Sequence, residues 1–147
     1  MKLSTKGRYG TRAMVDLAFH QDRGPVSLGD MSRRQGVSRR YLEHLVARLG
    51  ATGLVRSTRG RGGGFVLARP ASEISLADII EALEGRISVV DCGADPSVCA
   101  RSAVCAARDV WTDVSEIIMR HLSQISLEDL CQRQREKQGA GTSMYYI

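Results

Sequence analysis

The sequence predicts a mostly α-helical fold: a winged helix-turn-helix domain with a two-stranded β wing, followed by a long C-terminal helix. Three observations support this class. Two short helices are joined by a turn that contains glycine, a glycine-rich hairpin follows them directly, and an apolar helical stripe occupies the second half. The 147 residues suffice for a small domain with a long appended arm. With 25% charged and 43% hydrophobic residues, the composition is close to the soluble globular average, which excludes wholesale disorder.

Three helices are predicted in the first third of the chain. Residues 5–21 place apolar side chains at spacings of three and four, which is typical of an amphipathic helix. Ser27 and Asp30 form a capping-box-like start for a short helix that ends before Gly36. Ser38 caps a third helix, over 39–49, whose buried side chains are expected to be Leu42, Leu45, Val46 and Leu49. The tight turn between the last two predicts a helix-turn-helix, although an ordinary helical hairpin has the same spacing.

Two short strands follow, at 54–57 and 65–68, and the stretch between them contains four glycines and two arginines. The glycines let this loop bend tightly and approach another backbone closely. Arg59 and Arg61 give it affinity for phosphate or for the narrow minor groove, where negative potential is concentrated. A nucleotide-binding loop would need a Gly-Lys-Ser/Thr ending and a helix that opens there, and the sequence has neither. A hairpin of this kind after a helix-turn-helix predicts the wing of a winged-helix domain.

Charge is distributed unevenly along the chain. Residues 1–69 carry 14 Lys or Arg against 4 Asp or Glu, a net charge of +10, whereas residues 70–147 carry 7 against 12, a net charge of −5. The two halves sum to +5, and 18 of the 21 basic residues are arginine, which suits forked contacts with phosphate and guanine edges. Because a merely solvated face does not predict so one-sided an excess, the distribution favours double-stranded DNA as the partner.

The sequence also excludes some classes of protein. No apolar run approaches the ~18 residues that a membrane span needs, and residues 1–6 lead into no signal-peptide core. We therefore expect a soluble, cytoplasmic protein without a membrane partner. No Ser-His-Asp constellation and no Cys-x2-Cys motif is evident, so we expect no enzyme activity.

The sequence beyond the wing is predicted to be helical apart from one loop. A helix over 76–84 is capped by Ser75 and Asp78, and a last helix begins after the cap formed by Ser126 and Asp129. These elements divide the chain into a DNA-binding domain at 1–84, a cysteine-containing loop at 85–101, dimerisation helices at 102–137 and a flexible tail at 138–147.

A long helix is predicted over 102–124. Its apolar positions recur in steps of three and four, with His121 on the same seam: Val104, Ala107, Trp111, Val114, Ile118 and Ile125. Because the N-terminal domain has its own core, an exposed seam of this kind predicts a coiled-coil-like contact with a second copy of the chain. The sequence therefore predicts a homodimer.

Three of the four cysteines are close together. Cys92, Cys99 and Cys105 fall within 14 residues, whereas Cys131 lies in the last helix and is expected to be buried in a core. Disulfides are disfavoured in the cytoplasm, so clustered thiols indicate a metal site or redox chemistry. The x6 and x5 spacings are wider than those of structural zinc sites and differ from those of plant-type ferredoxins. Thiolates on a loop with such spacing are suited to wrapping an iron–sulfur cluster.

Several motifs occur together in an order that resembles a known family. They are residues 1–9 (MKLSTKGRY), Ser38-x2-Tyr41-Leu42-Glu43, Gly53-Leu54-Val55-x3-Arg59-Gly60-x-Gly62-Gly63-Gly64, and the three-cysteine loop before a helix with Trp111. Over about residues 1–135 the chain resembles the IscR-like bacterial regulators, a family that includes the nitric-oxide-responsive NsrR. The resemblance implies a homodimeric transcription regulator that senses iron–sulfur supply, iron, nitric oxide or redox state. The sensor it implies is a cluster, usually 2Fe–2S, with 4Fe–4S as the other type.

The fourth ligand of such a cluster departs from the family pattern. Many members place a histidine three residues after the last cysteine, but here that residue is Arg108, which stays protonated and cannot ligate. NsrR-like members use an acidic residue near the N-terminus of the other subunit, where this chain has Arg8. Asp109 is the first candidate for the fourth ligand. The remaining candidates are Asp91, Asp95, His20, His44 and His121.

The resemblance assigns the third helix to the major groove, with two such helices on successive grooves of a pseudo-palindromic operator. Arg39 and Arg40 are then candidates for base or phosphate contacts, and Ser38 and Tyr41 for phosphate contacts. Glu43 is expected to set specificity, by accepting from cytosine or by repelling wrong sites. The wing contributes Arg59 and Arg61, and since the family often has proline at 61, this wing is more basic than usual.

Other functions remain open from the sequence. The cysteines can act as a direct thiol switch or bind another metal in a cluster-free regulator. Alternatively, the chain can be a metal or cluster carrier or a thiol redox enzyme, although neither of these accounts for the basic first half. In the main hypothesis, loading or loss of the cluster reorders residues 89–101 against the first helix and the wing, which changes DNA affinity or site preference.

Overall fold

The structure, a computed structural model, describes residues 3–143 of the chain. Its helices and strands are, in order, α1 (Thr5–His20), α2 (Leu28–Gln35), α3 (Arg39–Ala51), β1 (Val55–Thr58), β2 (Gly64–Leu67), α4 (Leu76–Glu84), α5 (Asp91–Ala94), α6 (Ala106–Ser123) and α7 (Leu127–Ser143). Short 3₁₀ turns lie at Gln21–Arg23, Ala71–Glu73, Pro96–Val98 and Ser102–Val104. This helical fold with one two-stranded antiparallel sheet confirms the predicted fold class.

The helix starts are set by local sequence. Ser27, Ser38 and Ser75 each accept a hydrogen bond from the backbone amide three residues further on, as their positions in the sequence predict. Asp78 completes a capping box by accepting from the amide of Ser75 at 2.8 Å. At the other end of α2, Gly36 adopts a left-handed φ of 64°, which ends the helix and turns the chain into α3.

One apolar core holds α1 to α4, the sheet and the first residue of α7 together. Its largest fully buried side chains are Met14, Leu17, Met31, Leu42, Leu45, Leu49, Leu54, Ile74, Ile79, Leu83 and Leu127. Each of these contributes on the order of 1.5–3 kcal/mol by leaving water. Cys131, on the inner side of α7, is 3% exposed, which confirms its expected burial. The last helix therefore packs on the winged-helix unit.

The wing is held at its base by a third segment of backbone. β1 and β2 pair in register from Val55 opposite Leu67 to Thr58 opposite Gly64. Val26 pairs with Phe65 through two backbone hydrogen bonds of 2.9 Å. A Cβ atom on Gly64 would lie 2.5 Å from the carbonyl oxygen of Val26, so only glycine permits this close approach.

The long helix differs from its predicted range of 102–124. It begins at Ala106, because residues 102–104 form a 3₁₀ turn and Cys105 is extended, with φ −98° and ψ 100°. Val104 therefore lies before the helix and Ile125 after it. The backbone of the α6–α7 connection is tied to that of α4, since Leu76 donates to the Ile125 carbonyl at 2.8 Å.

The last helix extends past its predicted end near residue 137 and reaches Ser143. The sequence after 137 contains no proline to stop it, so 138–143, predicted as part of a flexible tail, continue the helix. Residues 144–147 of that tail lie outside the described residues. Within residues 3–143, none of the helices is both long enough and apolar enough to cross a membrane.

Candidate DNA interface and cysteine segment

The exposed side of α3 carries the side chains predicted to read DNA. Arg39, Arg40 and Glu43 are exposed, while the opposite side of the helix is buried in the core, as predicted. Two arginines in the first turn of a helix oppose its macrodipole, so local helix electrostatics does not explain their presence there. The same end of the helix is capped by Ser38, whose hydroxyl accepts from the Tyr41 amide at 3.3 Å, and the N-terminus of a helix favours an anionic group such as phosphate.

Tyr41 is half-buried and packs against α1. Its ring meets that of Tyr9 edge-on, with centroids 6.2 Å apart and planes at 88°. The guanidinium groups of Arg8 and Arg12 lie 5.9 and 5.2 Å from the centre of the Tyr9 ring. The start of α1 therefore places two more cations beside α3. From the sequence, Arg8 and Arg12 are not assigned to this surface. The available signal is their spacing of four residues, which places both side chains on the same side of α1.

A buried ion pair fixes α2 relative to α1. The Asp16 side chain is 2% exposed and accepts from Arg34 at 2.8 and 2.7 Å and from the Gln35 amide at 3.0 Å. This hydrogen bonding raises the pKa of Arg34, so its charge is kept. Arg12 also donates to the carbonyl of Gln35, at 2.7 Å. The turn that leads into α3 is thus held by side chains from α1.

The wing loop, residues 59–63, projects two exposed arginines, Arg59 and Arg61. Gly60 and Gly62 adopt positive φ angles of 103° and 81°, which favour glycine. A Cβ atom on Gly63 would lie 2.4 Å from the Thr58 carbonyl, so the tight turn itself requires glycine. The basic loop therefore has a defined shape beside the sheet.

The three clustered cysteines lie in one stretch, residues 85–105, which we call the cysteine segment. Cys92 is in the first turn of α5, Cys99 follows a 3₁₀ turn, and Cys105 precedes α6. All three are free thiols of intermediate exposure. Within the described part of the chain, no three His, Cys, Asp or Glu side chains are gathered closely enough to hold a metal ion. Three thiols are chemically suitable ligands for an iron–sulfur cluster. For all three to bind the same cluster, their sulfur atoms must come closer together than they are in this structure.

Arg108, which cannot act as a cluster ligand, connects the start of α6 to the backbone at Cys92. Its Nε atom donates to the backbone carbonyl of Cys92 at 2.8 Å, and its Nη1 atom lies 4.0 Å from the Asp109 carboxylate. Asp109 itself is exposed in the first turn of α6, and its amide donates to the carbonyl of Cys105 at 3.4 Å. The structure thus places the first-choice fourth ligand one helical turn from the last cysteine.

The other candidate ligands are more dispersed. Asp91 is exposed at the start of α5, and Asp95 accepts from the amide of Ser97 at 2.9 Å. Hydrogen bonding from the Ser97 side chain and amide lowers the pKa of Asp95. On the winged-helix unit, His20 contacts the carbonyl oxygen of Asp16 at 2.7 Å. His44, on α3, and His121, on α6, are exposed.

An apolar stripe along α6 is left uncovered within the chain. Val110, Trp111 and Ile117 are 55%, 44% and 60% exposed. A different side of α6 packs inward at Ser115, which is 7% exposed and accepts from the amide of Val89 at 3.0 Å. The predicted seam residue Trp111 thus lies on the outer side of the helix.

A helix-turn-helix, an adjoining basic wing and arginines on the exposed side of α3 define the class: a winged-helix DNA-binding protein. The chain belongs to the Rrf2 family, described as iron-dependent transcriptional regulators, whose sequence profile matches residues 3–133. This confirms the resemblance to IscR-like regulators.

Individual relatives cover nearly the whole chain. The HTH-type transcriptional regulator IscR of Photorhabdus laumondii is 43% identical over 141 residues, which are 96% of this chain and 85% of that protein. The solved structure of T. potens IscR superposes with a TM-score of 0.78 at 41% identity and covers 99% of this chain and 97% of its own. CymR (YrzC), the global cysteine regulator of B. subtilis, superposes with a TM-score of 0.75 at 38% identity, over 90% of this chain and 98% of its own.

Proposed function

We propose that this chain is a homodimeric regulator of transcription that binds a pseudo-palindromic operator and holds a 2Fe–2S cluster on Cys92, Cys99 and Cys105. The single observation that supports it most is the combination of a winged helix with three free, partly exposed thiols in one segment. Such a protein works where the chromosome is, so we propose a cytoplasmic location. Its function is regulation and not catalysis.

In the proposed complex, α3 of each protomer enters the major groove. Arg39 and Arg40 contact bases or phosphates, Ser38 and Tyr41 contact phosphates, and Glu43 discriminates among bases. Arg59 and Arg61 reach backbone or minor groove from the wing loop. The exposure of Arg39, Arg40, Glu43 and both wing arginines supports these roles. The half-buried Tyr41 contributes by positioning as well, since it packs on Tyr9.

The apolar stripe of α6 supports the homodimer. Three large apolar side chains exposed along one helix are costly in water, and pairing with the same stripe of a second copy removes them from it. In the proposed dimer, two copies of α3 about one turn of DNA apart would match a two-fold operator.

The cysteine segment supplies the ligands of the proposed cluster, with Asp109 as the fourth. A bound cluster would supply one-electron redox chemistry and sensitivity to iron and nitric oxide. Arg108 ties the backbone at Cys92 to the start of α6, so it orients the first of the three thiols relative to the last. An oxygen ligand in place of histidine makes the cluster more labile, which suits a sensor.

The test is anaerobic purification with visible spectra and analysis of iron and acid-labile sulfide. We expect about two of each per chain, or about four if the cluster is 4Fe–4S. Cys99→Ala is expected to lose the colour, while Cys131→Ala, which removes a buried thiol outside the segment, is expected to keep it. A colourless, iron-free wild type prepared under these conditions contradicts the cluster.

A cluster-free regulator is the second candidate function. The likeness to a cysteine regulator, and a segment whose thiols are not gathered in the described structure, both favour it. In that case DNA binding responds to an oxidant or to another metal in the absence of iron. A cluster carrier, the remaining hypothesis, predicts no operator binding at all. A binding titration with duplex DNA separates it from both regulators.

A further inference from the structure

Glu84 stands where helix electrostatics disfavours it. It is the last residue of α4, whose final turn has no basic residue, so its charge faces the negative end of that helix dipole. The first turn of α1, in contrast, has no acidic residue to match its positive end. A side chain that opposes its own helix in this way points to a role outside that helix.

The Glu84 carboxylate completes the N-terminal cap of α1. Its Oε1 atom accepts from the Ser4 amide at 3.1 Å, the Ser4 hydroxyl at 2.8 Å and the Gly7 amide at 3.0 Å. In a capping box the acid at the third helical position accepts from the cap amide, but here that position is Gly7. A Cβ atom on Gly7 would lie 2.3 Å from Oε1, so glycine leaves the space that the carboxylate needs.

The residue before it ties α4 to α3. The carbonyl of Leu83 accepts a hydrogen bond from Arg48 Nη1 of α3 at 2.5 Å. A Cβ atom on Gly10 would lie 2.1 Å from Leu83 Cδ1, which shows how closely α1 approaches this end of α4. The last two residues of α4 therefore bond to α1 and to α3, the two helices that carry the basic surface.

The cysteine segment begins directly after Glu84. Gly85 has a φ of 82°, a left-handed conformation that turns the chain out of α4, and Cys92 follows seven residues later. The end of α4 is therefore connected covalently to the first cysteine of the segment through a short stretch of chain, which is also bonded to α6 at Val89 and Cys92.

We propose that Glu84 is a positioning residue that couples the cysteine segment to the DNA-facing start of α1. The proposal rests on the proposed DNA-binding function. With the cap formed, Arg8 and Tyr9 are held beside Tyr41 on α3. When a change in the segment pulls the carboxylate away, the amides of Ser4 and Gly7 at the start of α1 lose their acceptor, and the arginines lose their fixed position beside α3.

The experiment compares the full-length wild type, Glu84→Gln and the control Glu81→Gln, which removes an exposed charge from the same helix. Each is titrated with a duplex selected from randomised DNA, once with free thiols and once after N-ethylmaleimide has alkylated the cysteine segment. Mass spectrometry counts the adducts, since buried Cys131 is shielded. Hydrogen exchange at the Gly7 amide, measured by NMR, reports the cap directly, and a thermal melt checks that each variant is folded.

We expect alkylation to change the Kd of the wild type and of Glu81→Gln by at least about fivefold, the lower end of measured couplings. In Glu84→Gln the two Kd values are expected to agree within about twofold, and Gly7 is expected to exchange faster. The coupling is refuted, without any effect on the proposed DNA binding, by either of two results. The ratio of the Kd values before and after alkylation is the same in Glu84→Gln as in the wild type, or alkylation leaves the Kd of the wild type unchanged. If no thiol state binds duplex DNA, the proposed function fails instead, and unchanged exchange at Gly7 separately refutes the cap.

Discussion

Arg33 and Arg34 are neighbours on α2, yet their removal is expected to have very different effects. Arg34 donates two hydrogen bonds to the buried carboxylate of Asp16, whereas Arg33 pairs with Asp30 at the surface, where the side chains are 79% and 45% exposed. Both are replaced by alanine, so the change in helix propensity is the same. The comparison isolates the effect of burying a charge.

The magnitude follows from what each substitution leaves behind. Arg34→Ala leaves a carboxylate that is 2% exposed, with the Gln35 side-chain amide still donating to it at 3.0 Å and His20 Nδ1 3.8 Å away. Breaking a buried pair in this way costs roughly 3–5 kcal/mol. Because the Arg34 side chain was itself 33% exposed, we expect about 3 kcal/mol. Arg33→Ala removes an exposed pair and is expected to cost less than about 0.5 kcal/mol.

Urea unfolding followed by circular dichroism measures both differences under one set of conditions. A double-mutant cycle with Asp16→Ala then isolates the pair, for which we expect a coupling of about 1–3 kcal/mol. If the two arginine variants lose the same free energy within about 0.5 kcal/mol, the role given to the buried pair is wrong. The same pair holds the turn before α3, so Arg34→Ala is also expected to weaken DNA binding.

Three further predictions test separate parts of the account. Arg40→Ala is expected to weaken duplex binding, and a phosphate contact by Arg40 would reduce the slope of log Kd against log salt concentration by about 1 in this variant. The control Arg120→Ala on α6 is expected to change neither the Kd nor the slope. Trp111→Glu puts a charge into the apolar stripe and is expected to give folded monomers in sedimentation, so an intact dimer would contradict the proposed interface. Hydrogen bonds from Ser126 lower the pKa of Asp129, so its contribution to stability is complete above about pH 4 and is lost as the pH falls through the lowered value. The urea midpoints of wild type and Asp129→Asn should therefore converge in acid, and a constant gap would refute this role.

Features that depend on near neighbours in sequence could be predicted. The caps at Ser27, Ser38 and Ser75 act over three residues, and the wing follows from glycines and β-branched or aromatic residues within one hairpin. The exposed arginines of α3 follow from helical periodicity, because the opposite face must be apolar to reach the core.

Features that join distant parts of the chain could not be predicted. Asp16 and Arg34 are 18 residues apart and Glu84 and Ser4 are 80 apart, and no local period connects either pair. Helical periodicity continues through 102–105 and predicts an earlier start for α6 than the structure has. There Cys105 adopts an extended conformation, and Arg108 bonds to the backbone of Cys92 instead. The approach of the three thiols to one another depends on the same tertiary contacts, so their spacing in sequence does not determine it.

The central claim is that the basic winged helix binds duplex DNA under the control of the cysteine segment. Its most direct test is one fluorescence-anisotropy titration of an operator duplex at low ionic strength, with the iron-loaded and the iron-free chain. We expect binding to weaken steeply as the salt concentration is raised. We also expect the Kd values of the iron-loaded and the iron-free chain to differ by at least about fivefold. Absence of binding in both states at low salt would contradict the account as a whole, and salt-sensitive binding with equal Kd values would contradict control by the segment.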